Sequence, residues 1–325
     1  MVIAIVGATG LVGSEIIKVL EEKKIKNIKE VLFVATQKSV GKIITYNNQK
    51  YKIITIKEAL QKKPKFALFS AGSKVSKKYA KEFSKQGTKV IDNSSAFRMD
   101  KKIKLIVPEI NSKNIKKTDK IIANPNCSTI QLVLTLNPIH KQYKIKRIIV
   151  STYQAVVGTG YLALKQLEEE ERGVTKTKVY KKNIHRNIIP HCDEFEKNGY
   201  TKEEEKIINE TNKILESNIK ITATAVRVPT IGGHGESVNI ELKKPCSIKK
   251  IINTLKKQKG IIVEEGNSYK TPEETKSKNE VFVSRIRKDG SQKNSFNMWI
   301  VADPLRKGAA TNAVQILENL IDLTN

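Results

Sequence analysis

Short apolar runs alternate with amphipathic stretches through the first ninety residues, and this alternation limits the possible folds more than any other feature. The strand-like runs span residues 2–6, 31–35, 66–70 and 90–92, and helical spacing occurs at 12–20 and 79–83. Strands separated by helices in this order predict βαβ units, whose strands lie parallel in one sheet. From Ile145 onward the apolar segments lengthen and alternate with polar residues, which is typical of an antiparallel sheet covered on one face.

The length and the cysteine count restrict the class of protein. A chain of 325 residues can form one large domain or two. Its three cysteines include no C-x-x-C pair, which argues against a disulfide framework or a zinc site and favours a reducing compartment. No apolar run approaches the roughly 20 residues that cross a bilayer, and the first residues carry no basic targeting segment. We therefore expect a cytoplasmic protein with no metal and no membrane partner.

The net charge of +27 raises the question of nucleic-acid binding, because clustered cations release counterions when they neutralise phosphates. Here the positive charge is almost all lysine and is scattered in short runs between apolar elements. This pattern favours solvated faces. A positive surface also helps to capture small anions. We expect no nucleic-acid partner.

A glycine-rich loop follows the first predicted strand and opens the first predicted helix. It comprises Gly7, Thr9, Gly10, Leu11, Val12 and Gly13, with Ala8 between the first two. Glycines at such a turn allow a pyrophosphate to approach the backbone and to lie at the helix N-terminus. Glycine at a strand-helix turn can also serve geometry alone. The position of the loop at the start of a βαβ series favours dinucleotide binding and a Rossmann-like first domain.

The end of the second predicted strand indicates which dinucleotide is bound. NAD enzymes place an acidic residue there against the ribose 2′-hydroxyl. The segment from Ala35 to Lys42 contains no carboxylate, and Thr36 and Ser39 flank Lys38, which suits a 2′-phosphate. We therefore predict NADP(H) as the cofactor, with an ordinary polar loop as the alternative.

Cys127 is a candidate nucleophile. It lies in the sextet N-P-N-C-S-T, after the strand-like run 121–123 and before the helix-like run 130–134. A strand-turn-helix junction places the sulfur at a helix N-terminus, where unpaired N–H groups and the macrodipole favour a thiolate. The sextet alone is equally compatible with a buried cysteine that packs as a small hydrophobe.

Two polar segments are candidates for the surroundings of this thiol. The first, 93–98, follows a predicted parallel strand and ends at Arg98, whose planar fork suits an oxyanion, although a loop arginine is more often a surface residue. The second contains Arg227 and the glycine-rich turn around His234, where an imidazole can approach a ligand and exchange protons. His140, His185 and His191 lack this setting.

Together these segments resemble the aspartate-semialdehyde dehydrogenase family of bacterial type over essentially the whole chain. The matching segments are 7–13, 93–98, 124–129, 154–156, 227–229, 233–234 and 307–316. Agreement at several motifs in order is far more specific than agreement at one. Related acyl-phosphate reductases share the thiol and the loop, but the sextet resembles the aspartyl branch rather than the N-acetylglutamyl branch.

The resemblance implies an enzyme that reduces L-aspartyl-4-phosphate with NADPH to aspartate semialdehyde and phosphate, toward lysine (through diaminopimelate), threonine and methionine. It implies a homodimer or tetramer. It also implies a Rossmann-like NADP-binding domain, residues 1–127 completed by the C-terminal helix 304–325. Residues 128–303 would form an α+β catalytic and dimerisation domain of the glyceraldehyde-phosphate-dehydrogenase type.

The resemblance also implies residue roles. Cys127 would accept the acyl group, His234 would be the acid/base group and Gln154 would orient the acyl intermediate. Arg227 would bind the substrate carboxylate, and Glu203 would line the pocket near the substrate amine. The phosphate would be held by Arg98 and Asn126, with assistance from Lys206. The further cofactor contacts would be Gly72, Gly158 and Asn312.

Four positions depart from the family pattern. Lys38 and Gly235 replace an expected arginine and an expected serine, Val157 replaces a serine, and Pro304 replaces an amide. They bear on cofactor affinity more than on the reaction. Two alternatives to an enzyme are an idle NADP-binding sensor, which would lose the site residues, and a nucleic-acid binder, which would need a recognisable binding module.

Overall fold

The computed structural model describes residues 1–174 and 176–324, which form two compact units. The first unit contains Met1–Pro125 and the chain from Ala309, and the second contains Asn126–Gly308. Asn126, Cys127 and residues 304–308, which the family resemblance places in the first domain, thus lie in the second unit. The reason for the placement of Cys127 is that the helix it begins packs on the sheet of the second unit.

The elements alternate as the apolar pattern predicts. The strands are β1 (Val2–Val6), β2 (Glu30–Val34), β3 (Ile43–Tyr46), β4 (Gln49–Lys52), β5 (Phe66–Phe69), β6 (Lys89–Asp92), β7 (Lys104–Leu105), β8 (Ile121–Ala123), β9 (Ile145–Ala155), β10 (Lys220–Val228), β11 (His234–Leu242), β12 (Ile261–Val263), β13 (Val281–Lys288) and β14 (Ser295–Ala302). The helices are α1 (Leu11–Lys23), α2 (Ile56–Gln61), α3 (Ser73–Lys85), α4 (Pro108–Asn111), α5 (Cys127–Tyr143), α6 (Tyr161–Glu171), α7 (Lys202–Leu215), α8 (Ile248–Lys256) and α9 (Thr311–Thr324).

The first unit is built on a parallel six-stranded sheet in the order β2-β1-β5-β6-β8-β7. Its core joins strand residues such as Phe33 and Leu68 to Ile16 of α1 and Leu317 of α9. Strand order reverses beside β1, and such a switch point is where open α/β sheets bind ligands. The predicted Rossmann-like architecture is confirmed.

The second unit contains a mixed six-stranded sheet in the order β10-β9-β11-β14-β13-β12. The expectation of an antiparallel sheet was wrong for two pairs, because β9 runs parallel to β10 and β12 parallel to β13. The long excursion containing α6 and α7 supplies the crossover that the first pair needs. Even-numbered residues of β11 are buried and several odd-numbered ones are more exposed, so one face is covered, as predicted.

Local signals fix the start of α7. Thr201 is its N-cap: the Thr201 hydroxyl accepts from the backbone N–H of Glu204, and the Glu204 carboxylate accepts from the N–H of Thr201. This reciprocal capping box satisfies two backbone donors at the helix end. This cap orients the first turn of α7, which carries Glu203.

Across 1–174 and 176–324, every helix is too short or too polar to cross a lipid bilayer.

Gly13→Ala tests the packing of α1 against the glycine loop. A Cβ at Gly13 would lie 2.0 Å from the carbonyl oxygen of Gly7, which is backbone that cannot swing aside. We expect the variant to lose roughly 1–3 kcal/mol of unfolding free energy. Urea unfolding followed by circular dichroism measures this loss. Gly290→Ala is the control, because its Cβ would meet open space, and equal stability of the two variants would contradict the prediction.

Candidate active site

Cys127 is the first residue of α5 and is half-buried. Asn126 caps this helix: its Oδ1 accepts from the N–H groups of Ser128 at 3.0 Å and Thr129 at 3.3 Å. The predicted strand-turn-helix junction is therefore confirmed, since β8 ends at Ala123. A thiol at a helix N-terminus lies in the positive end of the macrodipole, which favours the thiolate over a buried, inert thiol.

Gly308 packs directly on this thiol. A Cβ at Gly308 would lie 2.8 Å from the Cβ of Cys127, closer than real side chains approach. Gly308 was not predicted as a site residue, although it lies inside a matching segment. Its role is steric, because it leaves the room in which the Cys127 side chain lies.

Glu203 connects several polar residues in the second unit. Its Oε1 accepts from Asn126 Nδ2 at 2.9 Å and from Gln154 Nε2 at 3.3 Å, while its Oε2 accepts from Lys206 Nζ at 3.1 Å. Burial alone would raise the pKa of Glu203, but Lys206, the Asn126 hydrogen bond and Arg227 together lower it. The carboxylate is therefore charged. The cost of burying that charge is offset by a cation and two amide donors.

Lys206 is already paired within the protein. Its Nζ lies 2.6 Å from Asp193 Oδ2 in addition to its contact with Glu203. Burial would lower the pKa of Lys206, but these two carboxylates raise it. The ammonium is therefore a fixed positive charge.

His234 is fully buried at the start of β11. Its Nδ1 accepts from the backbone N–H of Ala155 at 3.1 Å, so the neutral ring carries its hydrogen on Nε2. Burial, with the charge of Arg227 second, holds the pKa of His234 well below its usual value. The imidazole is therefore neutral and presents an Nε2–H.

Arg227 is fixed by the same peptide. Its Nη1 donates to the carbonyl oxygen of Ala155 at 2.7 Å. Within 1–174 and 176–324, neither Nε of Arg227 nor Nε2 of His234 has a hydrogen-bond partner. Buried donors without acceptors are costly, and their convergence on one strand end suits an anionic ligand.

Gly158 lies against both of these side chains. A Cβ there would lie 2.7 Å from Nε2 of His234 and 3.3 Å from Nη1 of Arg227. The family resemblance implies a cofactor contact for Gly158, and the structure adds a steric reason for glycine at this position. Any larger residue would displace the imidazole or the guanidinium.

The glycine loop of the first unit lines a cavity of about 420 Å³. Its lining residues include Gly7, Thr9, Gly10 and Thr36. Gly7 has φ +94°, and a Cβ on it would lie 2.7 Å from the carbonyl oxygen of Ser70. Backbone this exposed at a helix N-terminus fits the pyrophosphate of a dinucleotide.

Other predicted cofactor residues lie on adjoining elements. Leu11, Val12 and Gly13 are in the first turn of α1, and Gly72 is the N-cap of α3 with φ +83°. Lys38 and Ser39 lie in a 3₁₀ turn directly after Thr36, with the Lys38 side chain exposed. An exposed cation here is available to a 2′-phosphate.

Arg98 and Asn312 both donate hydrogen bonds to Asn124. Arg98 Nε donates to the Asn124 carbonyl oxygen at 2.9 Å and Nη2 to that of Asn93 at 2.7 Å. Asn312 is fully buried, and its Nδ2 donates to Asn124 Oδ1 at 2.7 Å and to Ile106 O at 2.9 Å. Both amide hydrogens of Asn312 thus bond within the protein, which is a structural role beside its predicted cofactor contact.

The second unit brings together eight predicted site residues: Asn126, Cys127, Gln154, Gly158, Glu203, Lys206, Arg227 and His234. Two neighbours of these residues were not predicted: the exposed Asp193, which pairs with Lys206, and the buried Gln131, which donates to the carbonyl oxygen of His234. Both contacts join distant segments, which a single sequence does not reveal. Cys192 is unsuited to nucleophilic attack, because burial raises its pKa to about 11. Among residues 1–174 and 176–324, no group of three acidic, histidine or cysteine side chains could hold a metal.

One family departure has a physical reason in the structure. A Cβ at Gly235 would lie 2.2 Å from Cη2 of Trp299, so the indole occupies the space that the expected serine would need. The indole is held by a hydrogen bond from Nε1 to the Lys270 carbonyl oxygen at 3.1 Å. The structure gives no comparable reason for Val157 or Pro304.

Comparisons with known proteins agree with this architecture. Residues 2–118 match the NAD-binding domain of semialdehyde dehydrogenase, and residues 136–307 match its dimerisation domain. The aspartate-semialdehyde dehydrogenase of Aquifex aeolicus is 45% identical over 336 aligned positions, covering 98% of this chain and 97% of that protein. That of Bacillus subtilis is 43% identical, covering 98% and 96%.

Solved structures give the same result. Aspartate semialdehyde dehydrogenase II from Vibrio cholerae has a TM-score of 0.94 at 40% identity, with 98% of each chain covered. The same enzyme complexed with ASA also has a TM-score of 0.94, at 39% identity, covering 99% of this chain and 98% of that one. An enzyme from Candida albicans solved with NADP has a TM-score of 0.80 at 22% identity, covering 99% of each chain, and shows the fold alone.

A dinucleotide-binding sheet joined to a second domain with a thiol at a helix N-terminus defines a class of thiol-bearing oxidoreductases. Within that class, the chain belongs to the aspartate-semialdehyde dehydrogenase family.

Gly158→Ala separates the two roles of Gly158. The added methyl would push against His234 and Arg227, so we expect kcat to fall on the order of 10²-fold while cofactor affinity changes little. Steady-state kinetics and a cofactor titration measure the two effects. Gly290→Ala is the control variant. Loss of cofactor affinity with unchanged kcat would instead favour the cofactor contact alone.

Proposed function

We propose that the protein catalyses the NADPH-dependent reductive dephosphorylation of L-aspartyl-4-phosphate to L-aspartate 4-semialdehyde and phosphate. The reaction would serve the synthesis of lysine, threonine and methionine in the cytoplasm. The observation that carries this proposal is the arrangement in the second unit of a thiol in the first turn of α5 with buried, unpaired donors on Arg227 and His234. Relatives that bear the enzyme's name over nearly their full length support it.

In the first step the Cys127 thiolate attacks the acyl carbon. A C–S bond forms, the C–O bond to phosphate breaks, and the phosphate leaves with that electron pair, which yields a thioester. The oxygen that becomes negative in this step needs hydrogen-bond donors, and the Nε2–H of His234 is a preorganised one. The N–H groups at the start of α5 are further donors.

In the second step the thioester is reduced. NADPH, when bound at the glycine loop, would supply the hydride that reduces the acyl carbon. The resulting alkoxide collapses by breaking the C–S bond, which releases the aldehyde and restores the thiolate without any proton transfer. The tautomer of His234 therefore favours hydrogen-bond donation to the oxygen over the proton removal that the family resemblance suggested.

The substrate's fixed charges match the charges of the site. Arg227 presents an unpaired Nε–H to a carboxylate, and the charged carboxylate of Glu203 suits the substrate ammonium. Arg98, held by two backbone carbonyls, and Asn126, with help from Lys206, would bind the phosphate. The Oδ1 atom of Asn126 already caps α5, and one Nδ2 hydrogen is donated to Glu203. The second Nδ2 hydrogen would therefore make the phosphate contact.

Two further parts of the proposal concern the cofactor and assembly. The residues around the glycine loop fit a dinucleotide, and the absence of a carboxylate at 35–42 favours NADP over NAD. The match to a dimerisation domain supports a homodimer, or a tetramer built from dimers. We propose neither a nucleic-acid nor a membrane partner.

The reverse reaction tests the covalent mechanism. With semialdehyde, phosphate and NADP, absorbance at the reduced-nicotinamide band reports turnover. We expect Cys127→Ser to lose on the order of 10³-fold or more in kcat, because the weaker nucleophile cannot form the thioester. Cys246→Ser is the matched control and should keep normal activity. Retained turnover in Cys127→Ser would exclude the thioester, and preference for N-acetylglutamate semialdehyde would exclude the aspartyl substrate.

Lys38→Ala tests the cofactor preference. Removing the exposed cation should raise KM for NADP several-fold and leave KM for NAD unchanged, because only NADP carries a 2′-phosphate. Lys42→Ala, which removes a neighbouring exposed lysine, is the control. Equal KM values for the two cofactors in the unmodified protein would contradict an NADP enzyme.

A further inference from the structure

A buried contact network joins α6 to the chain that follows it, and the proposed mechanism does not use this network. We call residues 177–189 the strap. Ile184 and Ile189 of the strap are buried in one apolar cluster with Val156, which begins the 3₁₀ turn 156–159. The strap therefore packs against the turn that joins β9 to α6.

Gln166 and Glu170 hold the strap by its backbone. Both side chains are buried, and they lie one helical turn apart on α6, which places them on one face of the helix. Gln166 Oε1 and Glu170 Oε2 each accept hydrogen bonds from two consecutive N–H groups of the strap. The four donors, at 2.6–2.9 Å, are the N–H groups of Val179 and Tyr180 for Gln166 and of Ile184 and His185 for Glu170. These contacts satisfy backbone groups in a segment that forms neither helix nor strand.

The two side chains are also bonded to each other. Gln166 Nε2 donates to Glu170 Oε1 at 2.7 Å. An amide has both an acceptor and donors, whereas a carboxylate only accepts. Because one oxygen of each side chain faces the strap, one member of the pair must be an amide to supply the donor between them. Two carboxylates here would face each other without a hydrogen, which is costly in a buried site.

The strap also bonds to the backbone of Arg227. The N–H of Ile189 donates to the Arg227 carbonyl oxygen at 2.9 Å, and the N–H of Arg227 donates to the Ile189 carbonyl oxygen at 2.8 Å. Within the sheet, the register partner of Arg227 is Gln154 of β9. Arg227 thus stands between β9 and the strap, so a shift of the strap would carry the backbone of Arg227 with it.

Tyr180 connects the strap to the same region by a second route. Its hydroxyl donates to Thr159 Oγ1 at 2.9 Å, and Thr159 follows Gly158, which lies against the side chain of Arg227. Burial raises the pKa of Tyr180 above its usual value, so the phenol keeps its proton at neutral pH. The charge of Arg227 opposes that rise, because the phenol and the guanidinium are within electrostatic reach of each other.

We propose that Gln166 and Glu170 are positioning residues for Arg227, which they reach through the strap. The proposal rests on the proposed function, in which the guanidinium of Arg227 binds the substrate carboxylate. The strap fixes the backbone of Arg227 at Ile189 and supports the adjoining turn through Tyr180. Release of the strap would let Arg227 leave the position that suits the carboxylate, so substrate affinity would fall in a protein that remains folded.

Exchanging the two side chains tests the proposal in the reverse reaction. Gln166→Glu places two carboxylates against each other, so we expect KM for aspartate semialdehyde to rise roughly tenfold or more, with KM for phosphate within about twofold of the wild type. Adding Glu170→Gln to this variant restores one amide and one carboxylate. We expect the double variant to recover KM for aspartate semialdehyde to within about twofold of the wild type. A purely structural pair would change the folded fraction but not the ratio of the two KM values.

A folded Gln166→Glu variant with normal KM for aspartate semialdehyde would overturn the proposal, as would a double variant no better than the single one. If Gln166→Glu does not fold, Glu170→Gln replaces it, because it turns two amide donors toward each other. We then expect KM for aspartate semialdehyde to rise about threefold or more, and an unchanged value would overturn the proposal. Glu171→Gln is the matched control: it removes the same charge from an exposed neighbour on α6 and should leave both KM values unchanged.

Amide hydrogen exchange gives a readout that does not depend on activity. Mass spectrometry of peptides that contain the strap or Arg227 should show exchange at least about tenfold faster in Gln166→Glu than in the wild type, with wild-type rates in the double variant. Arg227 is the decisive position, because its own N–H bonds to Ile189. If the wild type is inactive toward aspartate semialdehyde, the proposed function fails, and exchange at Arg227 still decides the positioning role. Equal exchange at Arg227 in the wild type and the single variant would overturn that role.

Discussion

The peptide unit of Ala155 holds together the two side chains on which the proposed chemistry of the second unit depends. Its N–H donates to Nδ1 of His234, and its carbonyl oxygen accepts from Nη1 of Arg227. The first bond sets the tautomer of the imidazole, and the second fixes a nearby cation that adds to the effect of burial in lowering the pKa of His234. Because a backbone group does this, the arrangement depends on the course of β9 rather than on any particular side chain at 155.

Two buried glutamates in the second unit differ in the protonation state that their surroundings favour. Glu203 keeps its charge, because Lys206 and two amides surround it. Glu236 has no such surroundings, and burial favours its neutral form. A charged carboxylate suits recognition of a substrate ammonium, whereas a neutral acid carries a smaller desolvation cost. Residue type alone therefore does not reveal the role; the surrounding donors do.

Sequence predicted the features that arise from local pattern. The alternation of apolar runs predicted the parallel sheet of the first unit, and the residues around Cys127 predicted the start of a helix, because periodicity and helix ends are properties of neighbouring residues. The parallel pairing of β9 with β10 was not predictable in this way, since it depends on how a long excursion returns to the sheet. The contacts of Gln131 and Gly308 join segments that are distant in the sequence, which spacing does not encode.

The contact between Gly235 and Trp299 ties two positions 64 residues apart into one steric unit. Either residue can change only if the other changes with it: a side chain at 235 requires a smaller group at 299, and a smaller group at 299 leaves a void over the glycine. Such a pair should vary jointly among descendants of this chain. Single replacements taken from related proteins would therefore be poorly tolerated here, even where the donor protein carries them without cost.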